Sequence, residues 1–179
     1  MYIVSACLMG CNCKYSGGNN RNEGVLEFTK EHKYIMICPE TEGGLKSPRP
    51  PAEQVPWVTS GEVDSQGVSN PPVNNMQDVS NLSGENGSAE FRVIDREGND
   101  VTREFVRGAE ICLRRALDLA EKSGEEIEGA ILKANSPSCG SGWIYDGTFT
   151  GTLKEGDGIF AAMLKERGIP VVTETDFNG

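Results

Sequence analysis

Cys7, Cys38 and Cys139 each follow a short apolar run, at 2–6, 34–37 and 127–133, of the kind that forms a strand of a parallel sheet. Ligands of open α/β sheets bind beyond the carboxyl ends of the strands, so the three thiols are expected to meet on one rim. Three thiolates with no histidine nearby predict a soft-metal site with one position left open.

Cys38-Pro39-Glu40 is the most constrained of these segments. Proline fixes its own φ and drives the preceding residue towards extended geometry, and residues two apart in an extended segment face one side. Cys38 can then anchor a metal while Glu40 moves protons at the same ligand. Ser136-Pro137-Ser138-Cys139-Gly140-Ser141-Gly142 repeats the device. Pro137 restricts Ser136, the glycines let backbone amides come close to a ligand, and hydroxyls there can hydrogen-bond to metal-bound sulfur. Arg49 and Lys133 lie near the expected rim and make it locally positive; Arg49 and Ser138 are the candidate substrate contacts.

The remaining cysteines allow other pairings. Cys7, Cys11 and Cys13 form a C-x3-C-x-C cluster, and with Cys38 they leave open a closed tetrahedral zinc site, although paired C-x2-C knuckles are absent. Cys112 falls in the apolar stripe of a helix and reads as a small core residue. His32, the only histidine, stands at the end of an expected helix, where a cation suits the dipole. That placement gives no support to Ser-His or Cys-His nucleophile chemistry, and neither G-x-x-x-x-G-K-[ST] nor G-x-G-x-x-G occurs.

The elements that carry these residues read as one domain. The chain has 179 residues, enough for a single core. Its 17 Lys and Arg against 27 Asp and Glu give a net charge of −10, which argues against a nucleic-acid-coating surface and for a small substrate. The chain begins in a strand, with no basic leader or long apolar segment, which predicts a cytoplasmic protein whose cysteines serve metal binding or catalysis rather than disulfides.

A Gly/Asn-rich loop at 10–22 leads to a helix at 23–32 and the second strand, a βαβ unit. The 38–55 loop, with its Pro-rich centre, is expected to hold no regular element. The stretch 58–90 is polar and acidic and reads as a surface insertion, with Glu53 counted among its flanking acids. A short strand at 91–95 and a helix capped by Asp100 or Thr102 follow, its stripe formed by Phe105, Ala109, Cys112, Ala116 and Leu119. A strand to Lys133, a long loop at 134–158, a helix at 159–167 and a strand at 169–173 complete the chain. The order predicts an α/β, Rossmann-like three-layer fold with a mainly parallel sheet of about four core strands and an acidic insertion.

Ser5-Ala6-Cys7-Leu8-Met9-Gly10, Cys38-Pro39-Glu40, Pro48-Arg49-Pro50-Pro51-Ala52-Glu53, Asp100-Val101-Thr102, Ser136-Pro137-Ser138-Cys139-Gly140 and Ile144-Tyr145-Asp146-Gly147-Thr148-Phe149 together resemble the domain of unknown function 523 family. Some members of that family are thiouracil desulfurases that use a [4Fe–4S] cluster held by three cysteines. The resemblance spans most of the chain outside 58–90. It implies Cys7, Cys38 and Cys139 as ligands of a [4Fe–4S] cluster, and Glu40 and Ser136 as the catalytic pair. It further implies an open iron that binds the sulfur of a thiolated heterocycle such as 2-thiouracil, which leaves as hydrogen sulfide.

Two departures stand out: the family's basic-Tyr-Asp-Gly-Gly stretch is here Lys14-Tyr15-Ser16-Gly17-Gly18, and Cys11 and Cys13 crowd the loop after Cys7. A non-catalytic iron–sulfur or zinc sensor, docking a partner through the acidic insertion, is the rival reading, and sulfur transfer to another acceptor is a third. Neither a membrane nor tight nucleic-acid binding is expected, and the chain is expected to be a monomer or small homo-oligomer.

Overall fold

The computed structural model describes residues 1–56 and 91–177; the acidic insertion expected at 58–90 lies outside them. Four parallel strands, β1 (Tyr2–Ser5), β2 (Tyr34–Ile37), β5 (Gly129–Leu132) and β8 (Val171–Thr173), form a sheet in the order β2-β1-β5-β8. Alternation along the strands divides the core in two. Ile3, Ile35, Ile37, Ala130 and Leu132 face the helices α3 (Thr102–Ser123) and α4 (Ile159–Glu166), while Val4 and Ile131 face Val25 of α1 (Glu23–Thr29). Helices therefore cover both faces, as an apolar parallel sheet requires, and the expected α/β architecture with four core strands holds. Among the described residues, no helix is long and apolar enough to cross a membrane.

Register aligns the carboxyl ends. Ser5 of β1 pairs with Ile37 of β2, and Val4 with Ile131 of β5, so the segments that leave these strands emerge on the same side.

Several elements depart from the sequence expectation. The 38–55 segment holds a four-residue helix, α2 (Pro39–Glu42), and a strand, β3 (Ala52–Pro56), which pairs antiparallel with β4 (Phe91–Asp95). The 134–158 loop contains the hairpin β6 (Trp143–Tyr145) and β7 (Leu153–Glu155). On α3, Leu119 is exposed and Ala120 is buried, because the buried face also takes in Thr102 and Leu113 and is therefore centred nearer Ala120 than Leu119. Asp100 is not the N-cap. Its Oδ1 accepts from the backbone N–H and hydroxyl of Thr102, and Val101 holds the cap position with no side-chain bond.

α2 rests backbone to backbone on α3. A Cβ at Gly108 would come within 1.8 Å of the Pro39 carbonyl oxygen, and one at Gly43 within 2.0 Å of the Glu104 carbonyl oxygen. Gly108→Ala adds about 1 kcal/mol of helix propensity but must push α2, with Cys38 and Glu40, off the helix. The clash is the larger effect, so a net loss of about 2 kcal/mol is expected in chemical denaturation. Unchanged or raised stability would contradict the close contact.

Candidate active site

Each of the three cysteines is held by a different device. Cys7 lies on a 3-10 turn (Ala6–Met9) directly after β1, and its carbonyl accepts from the backbone N–H groups of Gly10 and Asn20. Cys38 is extended, at φ −140° and ψ 99°, as a residue before proline must be. Its neighbour Pro39, however, opens α2, a position that suits proline because its N–H would be orphaned there. Glu40 is therefore a helical residue, and the expected alternation of an extended Cys38-Pro39-Glu40 does not occur.

Cys139 sits in a loop that begins with Asn135 at φ 63°. The N–H groups of Gly158, Ile159 and Phe160 donate to the carbonyls of Gly140, Pro137 and Ser138. Those N–H groups lie at the start of α4, where no intrahelical acceptor exists, so the helix and the cysteine loop brace one another.

Cys7, Cys38 and Cys139 line one cavity of about 410 Å3. Cys13 also lines it, and its thiol hydrogen-bonds with those of Cys7 and Cys38. Sharing that proton pushes Cys38 down to about 6 and lowers Cys7, despite the burial of both, and raises Cys13 itself. Cys139 is raised, chiefly by burial. All six cysteines are free. Cys11 is half-buried and does not line the cavity, and Cys112 is core, pushed up to about 12 by burial.

Among the described residues, no three His, Cys, Asp or Glu side chains are grouped to hold a single metal ion. The thiols facing the cavity are soft ligands that suit an iron–sulfur cluster, and a cationic metal centre offsets the burial penalty of a thiolate such as that of Cys139.

Glu40 and Ser136 line the same cavity. Glu40 Oε2 accepts from Arg49 Nε at 2.8 Å and also from Nη2, and its Oε1 accepts from Ser138 Oγ at 2.9 Å. Ser138 is 1% exposed and stands behind the wall rather than on it; its Oγ is 2.9 Å from that of Ser136. Ser136 Oγ already accepts the N–H groups of Ser138 and Cys139. Its own proton is thus left to point at Ser138, whose proton points at Glu40.

Of the two expected substrate contacts, Arg49 lines the cavity and Ser138 does not. Arg49 holds Glu40 and donates to the carbonyls of Lys46 and Cys13, and Ser138 links Glu40 to Ser136. Lys133 lines the cavity and pairs with Glu174 at 2.5 Å. His32 stacks on Phe28, their ring centroids 4.0 Å apart, well placed as a packing residue. Glu53 is buried in β3 rather than solvated, a burial whose only sign in the sequence is an acid inside a Pro-Pro-Ala-Glu-Gln-Val segment.

An α/β protein with a thiol-lined cleft beyond its parallel strands, and a carboxylate fixed beside the thiols, is the class defined by this fold and site. The chain belongs to the 2-thiouracil desulfurase family, whose profile matches residues 2–176. It is 36% identical to the uncharacterized protein YbbK of Bacillus subtilis (strain 168) over 178 residues, covering 99% of this chain and 98% of that protein. It is also similar to a solved structure, that of the [4Fe-4S]-dependent thiouracil desulfidase TudS. The TM-score is 0.67 and the identity 36%, over 98% of this chain and 91% of that one.

Proposed function

We propose that this chain is a [4Fe–4S]-dependent desulfurase that replaces the sulfur of a thiolated heterocycle, such as 2-thiouracil, with oxygen. The observation that carries the reading is that Cys7, Cys38, Cys139, Glu40 and Ser136 open onto one cavity. Similarity to TudS along nearly the whole chain supports it. Cys7, Cys38 and Cys139 would hold the cluster. When bound, it supplies a Lewis-acidic iron free of protein sulfur that draws electron density from a thiocarbonyl.

The chain's own residues then handle water and protons. A carboxylate offers about four lone-pair sites; Arg49 takes two on Oε2 and Ser138 one on Oε1. The remaining site on Oε1 is where Glu40 accepts a proton from water attacking the thiocarbonyl carbon. Ser138 and Ser136 provide a hydrogen-bonded path from Glu40 to a second point on the cavity wall, where a proton can be returned. The C–S bond breaks as the C–O bond forms, and the two protons of water leave with sulfur as hydrogen sulfide. No electrons are exchanged, so the reaction needs no oxidant or reductant.

The test is anaerobic purification with iron and acid-labile sulfide analysis, followed by incubation with 2-thiouracil. About four irons with matching sulfide, together with sulfide release, is the expected result. Stoichiometric zinc and no release would favour the sensor module instead.

A free thiolated base is the expected substrate form, because a surface at −10 repels a polyphosphate but not a neutral heterocycle. Filter binding of thiolated transfer RNA at low salt is expected to show no tight complex. Tight binding that weakens steeply with salt would contradict this.

A further inference from the structure

Phe149 lines the cavity at φ 59°, a left-handed conformation that phenylalanine rarely adopts unless its surroundings impose it. Glu53 imposes it. From β3, its Oε2 accepts the backbone N–H groups of Gly147 at 2.9 Å and Phe149 at 3.0 Å. Gly147, at φ 97°, lies so close to the strand that a Cβ there would come within 2.9 Å of the Gln54 carbonyl oxygen.

The next residue on β3, Gln54, is also buried. Its Nε2 donates to the carbonyls of Pro137 and Asp157, while its own carbonyl accepts from Lys154 Nζ. One strand thus ties the Phe149 turn to the loop that carries Cys139. The Arg96 guanidinium, 5.8 Å from the Phe149 ring centroid, adds a cation–π contact. Burying a carboxylate is costly unless its hydrogen bonds are met; here Oε2 takes two from this turn, which fixes the place of one aromatic ring, and Glu53 itself reaches the cavity wall beside it.

We propose that Glu53 is a positioning residue that sets Phe149 as an aromatic wall of the cavity, and that this wall selects flat conjugated heterocycles over small acyclic thiocarbonyls. The inference rests on the desulfuration reading for the sulfur of the substrate, and on the Glu53–Phe149 geometry for its shape. A heterocycle presents a π-face that an aromatic ring can meet in offset or edge contact; thioacetamide has no ring to present.

The experiment titrates uracil, the oxygen-bearing product, into the cluster-loaded protein by calorimetry, and measures sulfide release from 2-thiouracil and from thioacetamide. Phe149→Leu, which keeps bulk but not aromaticity, is expected to weaken uracil binding and raise KM for 2-thiouracil about 5- to 10-fold. Its kcat should stay within about twofold, and kcat/KM for thioacetamide should not change. Glu53→Ala should behave alike, and Glu53→Gln, whose amide oxygen can still accept both N–H groups, should recover most of the loss.

Uracil binding unchanged in Phe149→Leu, equal losses on both thiocarbonyls, or a wild-type protein that binds no uracil overturns the proposal. Phe149→Leu decides the matter even if Glu53→Ala does not fold. A protein that releases no sulfide, yet loses uracil affinity in Phe149→Leu, would refute the desulfuration reading while upholding the aromatic wall.

Discussion

Alanine at Cys7, Cys38 or Cys139 is expected to abolish visible cluster absorbance, iron content and sulfide release together, while alanine at Cys11, Cys13 or Cys112 keeps all three. These three cysteines come from separate segments, after β1, after β2 and in the loop before α4, and face one cavity. A cluster held by three thiolates has no spare ligand when one is removed. Cys112 is packed in the core against α3's neighbours and can lose its sulfur at a cost of about 1–2 kcal/mol without touching the site.

Cys13 is the discriminating case. Its thiol interacts with those of both Cys7 and Cys38, so a closed four-thiolate site would need it, whereas a three-cysteine cluster would not. Iron and sulfide analysis of the six variants, with circular dichroism to verify folding, checks the expectation. Loss of metal in Cys11→Ala and Cys13→Ala, with retention in Cys139→Ala, would point to the zinc arrangement.

Glu40→Gln is expected to keep the cluster's spectrum and iron content but lose about 10²–10⁴-fold in turnover of 2-thiouracil. The amide has the shape of the carboxylate and can offer its oxygen to Arg49 and its NH2 to Ser138, which leaves no group able to accept a proton in the place proposed for Oε1. Ser138→Ala should lose less, about tenfold, since Glu40 remains but one of the hydrogen bonds that aims it is gone. Steady-state sulfide release on protein of matched iron content measures both. Near wild-type turnover by Glu40→Gln would remove it from proton transfer.

The sheet and its thiol rim were legible because they arise from local signals. Apolar runs of four to seven residues mark β1, β2 and β5, and a parallel order brings the segments leaving these strands to one side. The helix α3 announces itself by its stripe. The missed elements have no such signal. α2 is a single turn, too short for periodicity, and it is recognisable only from Pro39 at a first helical position. β3 is flanked by prolines and finds its partner β4 across the 57–90 stretch; β6 and β7 are three residues each.

The same limit applies to the site. Cys38-Pro39-Glu40 and Ser136-Pro137-Ser138-Cys139 were separately readable as chemistry. The bond from Ser138 to Glu40 spans 98 residues, and that from Gly147 to Glu53 spans 94. Only the folded chain gives Arg49 and Ser138 the task of holding a carboxylate, and makes Glu53 a buried brace rather than a surface acid.

Hydrolytic desulfuration is tested most directly by following the atoms. Anaerobic protein is incubated with 2-thiouracil in ¹⁸O-labelled water, with no oxidant or reductant, and uracil and sulfide are quantified by mass spectrometry and colorimetry. One labelled oxygen in each uracil, and one hydrogen sulfide released per uracil formed, is the predicted result. Uracil without the label, sulfur recovered on a protein cysteine or another acceptor in place of free sulfide, or no conversion by iron-replete protein would contradict it.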